Sequence, residues 1–436
     1  MLVSLGFRAW HVMSRRPQIV ITGVGVVSPI GIGADAFWHA IESQCSGIAQ
    51  PIPPRRADLP VTAAGEVRDF DPKEYVRPRK SLKVMSRDSQ FAVAAADMAC
   101  AQAGVTVDTL DTERLGVVLG ADRIRYTIDE IAPAYAACLV DGRFDASLWP
   151  TRGAEATYPL GLLKVLPNMP ACHVSIVRDA RGPNNTIQQA EISSLLAVAE
   201  AARVLERGAA DMMITGGTSS RLHVLDWVRS YMTDRLSRRA CDPAAACRPF
   251  DALRDGTVRG EGAAALILES RHHAEARGAA ILGQILGCGA SYVPTHNGHP
   301  AAGASLHRAI QSALADADIT ARDVGHVNAH GLSTVEDDAA EASVLAELLP
   351  DVPVTAPKSY FGNLLAGTGA VELLASLLAL ARGRIPATLN YEEPDPACPI
   401  RVVHGRPMDC ASPIALIVNM TSIGQAAALV LGGPGA

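Results

Sequence analysis

The chain has 436 residues, of which 48% are hydrophobic, so it can bury a large core in one large fold or in two or three domains. Aromatic residues make up only 4%, so small and branched aliphatic side chains must fill that core, and the many alanines predict closely packed helices. Lys and Arg number 39 against 45 Asp and Glu, a net charge of −6, which argues against a nucleic-acid or membrane surface.

The pattern from residue 18 onward alternates predicted strands and helices. A β-branched run at 18–29, closing on glycines and Pro29, predicts a buried strand and a turn. Helices are predicted at 34–45 and 86–104, and another apolar run follows at 115–120. Residues 121–160 have weak periodicity, so we expect an elaborated cap or interface region there.

The remainder of the chain continues the alternation. A strong helix pattern at 191–207 stops at Gly208, and a strand is predicted at 211–217. Further strands are predicted at 263–268, 326–328 and 415–418, and further helices at 306–315, 336–348 and 370–381. This order predicts α/β layers around largely buried sheets.

The cysteines and the N-terminal segment bear on where the protein works. The nine cysteines show no C-x-x-C spacing, so we expect free thiols in a reducing compartment and a cytoplasmic protein. No apolar run reaches the about 18 residues that a membrane-spanning helix needs. Residues 1–17 are interpreted as an N-terminal extension. An upstream start codon before Met13 or a disordered tail is preferred there over a targeting peptide.

Several short motifs occur in one order over most of the chain. They are ITGVGVVSP at 21–29, FDP at 70–72, RGPN at 181–184, GGT at 216–218, RPFDALRDG at 248–256, GEGA at 260–263, NAHG at 328–331 and PKS at 357–359. Together they resemble the condensing enzymes of the β-ketoacyl-carrier-protein synthase II type, in the ketosynthase/thiolase-fold superfamily. The resemblance implies a thiolase-type five-layer α-β-α-β-α fold that is dimeric. It also implies two similar α/β halves, which we place at 18–270 and 271–436.

The resemblance also implies catalytic positions, and three residues bear on them here. The nucleophilic cysteine would stand at a helix N-terminus, where its pKa is lowered, but that position holds Glu191, which cannot form a thioester. The first of two histidines is retained as His330. The second-histidine position holds Asn363, which cannot become a cation or transfer a proton. Cys172 lacks the context of the nucleophile and is not expected to replace it.

Two further matches concern the frame of the site. Lys358 and Glu372 stand at family positions that form part of its electrostatic frame, and we favour a structural ion pair over a catalytic role. The family's glycine-rich oxyanion loop is expected to be shortened around 423–428, without its gating phenylalanines. Nucleophile, second histidine and oxyanion loop are therefore all expected to be missing.

These losses favour a non-condensing ketosynthase-like subunit of fatty-acid or polyketide synthesis. Such a subunit would bind acyl chains or carrier protein and partner an active β-ketoacyl synthase, as in the chain-length factors that this chain resembles. Two alternatives remain open: a malonyl-thioester decarboxylase or priming enzyme, and an acyl-thioester hydrolase with Glu191 as general base. An active 3-oxoacyl-carrier-protein synthase is the least favoured reading.

The expected partners follow from the same resemblance. The basic stretch formed by Arg77, Arg79, Lys80, Lys83 and Arg87 corresponds to a family segment that contributes to docking of the acidic acyl carrier protein. An ordinary solvated helix face is the alternative interpretation. The second partner would be an active synthase or a second copy of this chain. No cofactor, metal, nucleic acid or membrane is expected.

Overall fold

The computed structural model describes residues 16–51, 62–106, 110–239, 242–294 and 302–435, so predictions for residues 1–15 and for Cys241 lie outside the described residues. Ten strands of the large sheet follow one another across it: β1 (Ile19–Ser28), β2 (Leu115–Ala121), β3 (Asn184–Ile187), β4 (Met212–Ser220), β5 (Glu261–Ser270), β6 (Gly283–Tyr292), β7 (His326–Asn328), β8 (Val354–Thr355), β9 (Ile414–Met420) and β10 (Gln425–Gly432). A further two-residue strand, Gly31–Ile32, pairs with β1 beside this row. The main helices are α1 (Ala34–Glu42), α2 (Arg87–Gln102), α3 (Ile128–Ala137), α4 (Met169–Arg178), α5 (Ser193–Glu206), α6 (Val224–Thr233), α7 (Arg271–Ala276), α8 (Ala302–Asp316), α9 (Val335–Leu348), α10 (Lys358–Phe361) and α11 (Thr368–Arg382).

The strand order shows two halves of the same topology. The sheet runs β8-β7-β9-β10-β6-β1-β5-β4-β2-β3. Outward from β1, the first two pairings are antiparallel and the next two are parallel. Outward from β6, the same sequence of antiparallel and parallel pairings recurs. The halves join where residues 19–21 of β1 pair with β6.

Helices cover the sheet in three layers. In the middle, α5 and α11 pack their apolar faces against strands of both halves, in one core that includes Leu195, Leu374, Leu266 and Leu429. Helix α2 packs on the outer face of the N-terminal half, and α8 and α9 pack on the outer face of the C-terminal half. The predicted five-layer architecture from two similar halves is therefore confirmed.

Strand β5 shows why the sheet is so apolar. Leu266 and Leu268 belong to the central core, whereas Ala265 and Ile267 belong to the core beneath α2. Successive side chains of a strand point to opposite faces, so a strand covered on both sides must be apolar at nearly every position. Its run was predicted at 263–268 and extends over Glu261–Ser270.

Glycines in β1 let the first outer helix approach the sheet. A Cβ at Gly23 would lie 2.2 Å from the carbonyl oxygen of Ala99 in α2, and one at Gly25 would lie 2.1 Å from that of Ala95. No side chain fits at such distances, so the alanines of α2 rest directly on the strand backbone. The close helix packing predicted from the alanine content is found here.

The C-terminal half repeats this contact. A Cβ at Gly287 of β6 would lie 2.5 Å from the carbonyl oxygen of Ala313 in α8, and one at Gly289 would lie 2.1 Å from that of Ala309. Two glycines on the central strand therefore meet two alanines on the outer helix in each half. The two halves therefore share their strand topology and also this contact between a central strand and an outer helix.

Several elements were not predicted. Strands β6 and β10 are rich in glycine and alanine, which have low strand propensity, so burial between helices rather than local preference makes them strands. Helices α4 and α6 were also missed, and α1 ends at Glu42 rather than 45. The cap predicted at 121–160 contains α3, a hairpin of Leu139–Val140 with Arg143–Phe144, and short helical turns.

One helical segment is long and apolar enough to cross a membrane, although the sequence analysis expected no such run. By length and composition alone, Leu365–Arg382 is apolar enough to cross a membrane, but 83% of that window is buried inside the protein. The segment includes α11 of the central layer, so its apolar character is explained by the core that it fills.

Candidate functional site

A sharp strand-to-helix turn presents Glu191. Strand β3 is followed by a 3₁₀ turn, Ala190–Ile192, which leads into α5. Ala190 adopts a left-handed φ of 49°, and the Ser193 hydroxyl holds the turn by accepting from the Gln189 amide at 2.8 Å and donating to the Ala190 carbonyl at 2.7 Å. The half-buried Glu191 side chain therefore stands at the N-terminal end of α5, where the helix dipole favours an anion.

Asn363 is turned toward this carboxylate. Its Oδ1 accepts from the Leu365 amide at 2.9 Å and from the Thr368 hydroxyl at 3.1 Å, which fixes the orientation of the side-chain amide. Its Nδ2 then donates to Oε1 of Glu191 at 3.1 Å. The positions that would carry the nucleophile and the second histidine are thus in direct contact, and the Asn363 amide, unlike an imidazole, cannot donate a proton to a substrate.

The segment after α10 explains where Asn363 lies. Gly362 ends the helix with a φ of 77°, and a Cβ there would lie 2.9 Å from the Val258 carbonyl oxygen. The Asn363 amide donates to that same carbonyl at 2.7 Å, and the Asn363 carbonyl accepts from Gly260 at 2.9 Å. Asn363 is therefore fastened beside the beginning of β5.

His330 is held as a neutral donor. Both Glu341 carboxylate oxygens accept backbone N–H groups, from His330 at 2.6 Å and from Gly331 at 2.8 Å. The Lys358 ammonium lies 3.3 Å from Nδ1 of the imidazole. Burial, and then the charge of Lys358, hold the pKa of His330 well below its ordinary value. Because an ammonium only donates, Nδ1 accepts and the ring proton is assigned to Nε2.

Lys358 and Glu372 form the ion pair that the sequence analysis favoured. The Nζ–Oε1 distance is 2.6 Å, and both side chains are completely buried. The other carboxylate oxygen accepts from Nδ2 of Asn419 at 2.7 Å, and the Asn328 side chain donates to the Glu372 carbonyl at 2.8 Å. Burial raises the pKa of Glu372, and the Lys358 charge opposes that shift.

The loop between β9 and β10 is a tight turn. The Thr421 amide donates to the Gln425 carbonyl at 2.9 Å, and the Gly424 amide donates to the Thr421 carbonyl at 3.2 Å. The Gln425 side chain donates to Oε1 of Gln189 at 2.7 Å, which places the turn beside the Glu191 elbow. One boundary is corrected: residues 426–428, counted in the loop from the sequence, belong to β10 because they pair with β6 and β9.

Four residues of the basic stretch are exposed, and the fifth forms an ion pair with a buried carboxylate. Arg77, Arg79, Lys80 and Lys83 lie on the surface around a 3₁₀ helix, Arg79–Val84. Arg87 instead begins α2 and places its Nη2 2.7 Å from Oε1 of the buried Glu261. Its guanidinium also lies 4.6 Å from the centre of the Phe91 ring. Arg87 is therefore committed to holding the fold together.

The cysteines and possible metal ligands add no further chemistry to the site. All eight cysteines in the described ranges are free thiols, and half-buried Cys172 lies on α4, away from the elbow turn in sequence. Within the same ranges, His, Cys, Asp and Glu side chains form no group of three or more that could hold a metal ion.

Arg259 was missed by the sequence analysis. It is only 6% exposed, and it lies immediately before the GEGA motif that opens β5. Its backbone forms a β-bridge with Asn363, and its Nη2 contacts the Asp234 carboxylate. A charged residue bordering a long apolar run was the available signal, but its partners cannot be read from the sequence.

Comparisons with known proteins agree with this architecture. Residues 16–274 match the family described as "Beta-ketoacyl synthase, N-terminal domain", and residues 282–392 match "Beta-ketoacyl synthase, C-terminal domain". The predicted division between 270 and 271 stays a prediction. The chain is 32% identical to a 3-oxoacyl-[acyl-carrier-protein] synthase 2 of Synechocystis sp. over 90% of its length and 92% of that protein. It is 31% identical to the Staphylococcus aureus protein of that name, over 96% and 99% of the two chains.

Solved structures show the same likeness. A β-ketoacyl synthase from Burkholderia phymatum superimposes with a TM-score of 0.86 at 29% identity, covering 96% of this chain and 99% of that one. The structure called the ishigamide ketosynthase/chain length factor gives a TM-score of 0.84 at 28% identity, covering 96% and 100%. The matched families, the relatives and the two-halved thiolase-type fold lead to one conclusion: this chain belongs to the β-ketoacyl synthase family.

Proposed function

We propose that this chain is a non-condensing, ketosynthase-like subunit of fatty-acid or polyketide synthesis. It binds acyl chains delivered by acyl carrier protein and works beside an active β-ketoacyl synthase, in the manner of a chain-length factor. The observation that carries the proposal is the pair at the elbow: the Glu191 carboxylate stands where the nucleophile would be, and the Asn363 amide is bound to it. The free thiols favour a cytoplasmic setting.

The chemistry of the pair supports binding without condensation. Condensation begins with a thiolate attacking a thioester to form an acyl-enzyme thioester, and a carboxylate has no sulfur with which to form that intermediate. The Asn363 side chain has its oxygen and one nitrogen donor already engaged, and an amide cannot supply a proton. His330 retains an N–H donor that can bind a carbonyl oxygen. The site can therefore hold an acyl chain without joining it covalently.

The surface of the N-terminal half supports a partner chain. Strand β3 ends the sheet, and its outer edge pairs with no other strand in the described part of the chain. The cap and the residues just after it carry large apolar side chains that are between 37% and 56% exposed: Ile128, Tyr135, Leu139, Val140, Phe144, Tyr158, Leu160, Leu162 and Leu163. An open edge and a large apolar patch are costly in water unless another protein covers them.

The occupant proposed for this surface is a ketosynthase-fold chain. One structural relative is named as a ketosynthase/chain length factor, and another as a type II polyketide synthase acyl-carrier protein in complex with its ketosynthase bound to the hexaketide. Those names describe the relatives. For this chain they support the choice of an active synthase, rather than an unrelated protein, as the partner.

A second candidate function is favoured by one observation. The Glu191 side chain is half-buried, and its Oε2 has no hydrogen-bond partner among the described residues. A carboxylate that water can reach is able to act as a general base. Hydrolysis of acyl thioesters, with Glu191 as the general base, is therefore the alternative function that the experiment must distinguish from the subunit proposal.

The test combines co-purification with an acyl-transfer assay. The tagged chain is isolated from its native host and its companions are identified by mass spectrometry; we expect a synthase with an intact Cys-His-His set. The pure chain is then incubated with octanoyl acyl carrier protein, and its intact mass and the released octanoate are followed. An unchanged mass without octanoate release supports the subunit proposal. Catalytic release that disappears in E191Q would replace it with the hydrolase.

A further inference from the structure

Arg259 is a buried cation with unused donors beside the elbow. Its Nη2 contacts Asp234, but its Nε and Nη1 are buried without a hydrogen-bond partner in the described structure. A buried N–H group without an acceptor costs free energy, and the cost is higher when the group carries charge. A ligand oxygen beside these two nitrogens would accept hydrogen bonds from a charged donor that now makes none there.

The neighbouring acids are already occupied. Arg221, only 6% exposed, bridges Asp122 at 3.2 Å and Asp226 at 3.3 Å. Arg125 takes a second position on the same oxygen of Asp226 at 2.8 Å. Asp122, Asp226 and Asp234 therefore each have an arginine partner, and none of them accepts a hydrogen bond from Nε or Nη1 of Arg259.

Glu191 is the remaining acid near Arg259, and it does not bind it directly. Burial and then the charge of Arg221 lower the pKa of Arg259 to about 10, while the charge of Glu191 opposes this shift. The two described side chains nevertheless form no ion pair, and Oε1 of Glu191 accepts from Asn363. Asn363 also forms a backbone β-bridge with Arg259, so Asn363 contacts both Arg259 and Glu191.

We propose that Arg259 selects acyl chains that carry a neutral carbonyl oxygen, such as the 3-oxo group of a β-ketoacyl chain, when they bind beside Glu191. The inference rests on the proposed function, because it requires that a chain enters this site. A carbonyl oxygen supplies the missing acceptor. A carboxylate-bearing chain is disfavoured because the Glu191 carboxylate repels it, and a purely aliphatic chain leaves the buried donors unsatisfied.

The experiment measures binding of three non-hydrolysable pantetheine amides by isothermal titration: 3-oxooctanoyl, octanoyl and malonyl. The wild-type chain is expected to bind the 3-oxooctanoyl amide at least about tenfold more tightly than the octanoyl amide, as for a hydrogen bond to a charged donor. In R259M that preference should vanish while octanoyl binding is kept. R259K, which keeps a charge and adds no cavity, should retain part of it. R125M is the matched control, since Arg125 belongs to the same network but contacts Asp226.

The outcomes separate the inference from the proposed function. A wild-type chain that binds none of the amides contradicts acyl-chain binding itself. Equal binding of 3-oxooctanoyl and octanoyl amides, or a preference that survives in R259M, leaves acyl binding intact and overturns the role of Arg259. Tighter binding of the malonyl amide overturns the choice of a neutral carbonyl. A preference lost equally in R125M assigns the effect to the fold of the network. Should R259M not fold, R259K decides between the same outcomes.

Discussion

On the proposed function, Glu191 stands where a condensing enzyme would carry its thiolate, and the neighbouring Asn363 side chain binds the Glu191 carboxylate. Asn363 donates to it, and Thr368 and the Leu365 amide fix the direction of that donation. The contacts that fix the Asn363 amide come from its own segment and do not involve Glu191, so changing residue 191 leaves them in place. A single reversal at 191 is therefore not expected to recreate a working synthase.

The first prediction is that E191C does not restore condensation. A thiol at the N-terminal end of α5 would gain some thiolate character, so slow acylation is expected. Elongation should stay at least about a hundredfold below that of an ordinary synthase, since one lost oxyanion donor alone costs about that much. β-Ketoacyl product from malonyl carrier protein is measured, with E191A as the control for loss of the carboxylate. Elongation by E191C at an ordinary rate would show that our interpretation of Asn363 and of the shortened loop is wrong.

The second prediction concerns the Lys358–Glu372 pair. K358M leaves Glu372 buried without its cation and should lower the free energy of unfolding by about 3–5 kcal/mol, whereas the double variant K358M/E372L should regain most of that loss. The control is the exposed pair Arg384–Asp409, whose side chains are 51% and 85% exposed. R384A should lower the free energy of unfolding by less than about 1 kcal/mol. Urea unfolding measures all of them. Equal losses in K358M and R384A would contradict a buried electrostatic frame.

At the scale of elements, close contact between a strand and a helix recurs in both halves. Glycines of β1 rest on alanines of α2, and glycines of β6 rest on alanines of α8. The outer helices can therefore lie nearer to the sheet than ordinary side chains allow. This contact also explains how a chain with few aromatic residues fills its core: small side chains reduce the space that must be filled.

The third prediction tests that contact. G23A would place a methyl group 2.2 Å from the Ala99 carbonyl oxygen, and we expect a loss of about 1–3 kcal/mol or more in unfolding free energy. G303A is the matched control, because its Cβ would meet Val344 at 3.6 Å inside helix α8, where alanine is the better helix former. Thermal and urea unfolding should show G303A unchanged or stabilised by up to about 1 kcal/mol. Destabilisation of similar size in both variants would argue against the close-packing explanation.

At the scale of the whole molecule, the surfaces proposed for partner proteins are each formed by more than one element. The cap and the open edge at β3 belong to the N-terminal half, as does the basic stretch around Arg79–Val84. Because Arg87 is bound to Glu261, the docking surface proposed for acyl carrier protein is reduced to Arg77, Arg79, Lys80 and Lys83.

The fourth prediction follows from that reduced surface. Reversing two exposed charges in K80E/K83E should weaken binding of acyl carrier protein by about tenfold and flatten its dependence on salt, because surface charges act through screened long-range attraction. R322E, an exposed reversal on a 3₁₀ turn of the C-terminal half, is the control and should leave affinity unchanged. Titrations at two ionic strengths measure both. Unchanged affinity in K80E/K83E would favour an ordinary solvated surface.

The sequence alone determined the architecture and the identity of the residues at the key positions. Alternating apolar runs and ordered motifs predicted two α/β halves, because periodicity and turn chemistry are local properties of the chain. The absence of a thiol at 191 and of an imidazole at 363 is likewise plain from the residues themselves. Only the tertiary structure decided what those residues contact. Asn363 and Glu191 are 172 positions apart, and the unused donors of Arg259 are recognised only once its neighbours are known. The cost of burying a charge depends on partners that folding brings from distant segments, and no local pattern records them.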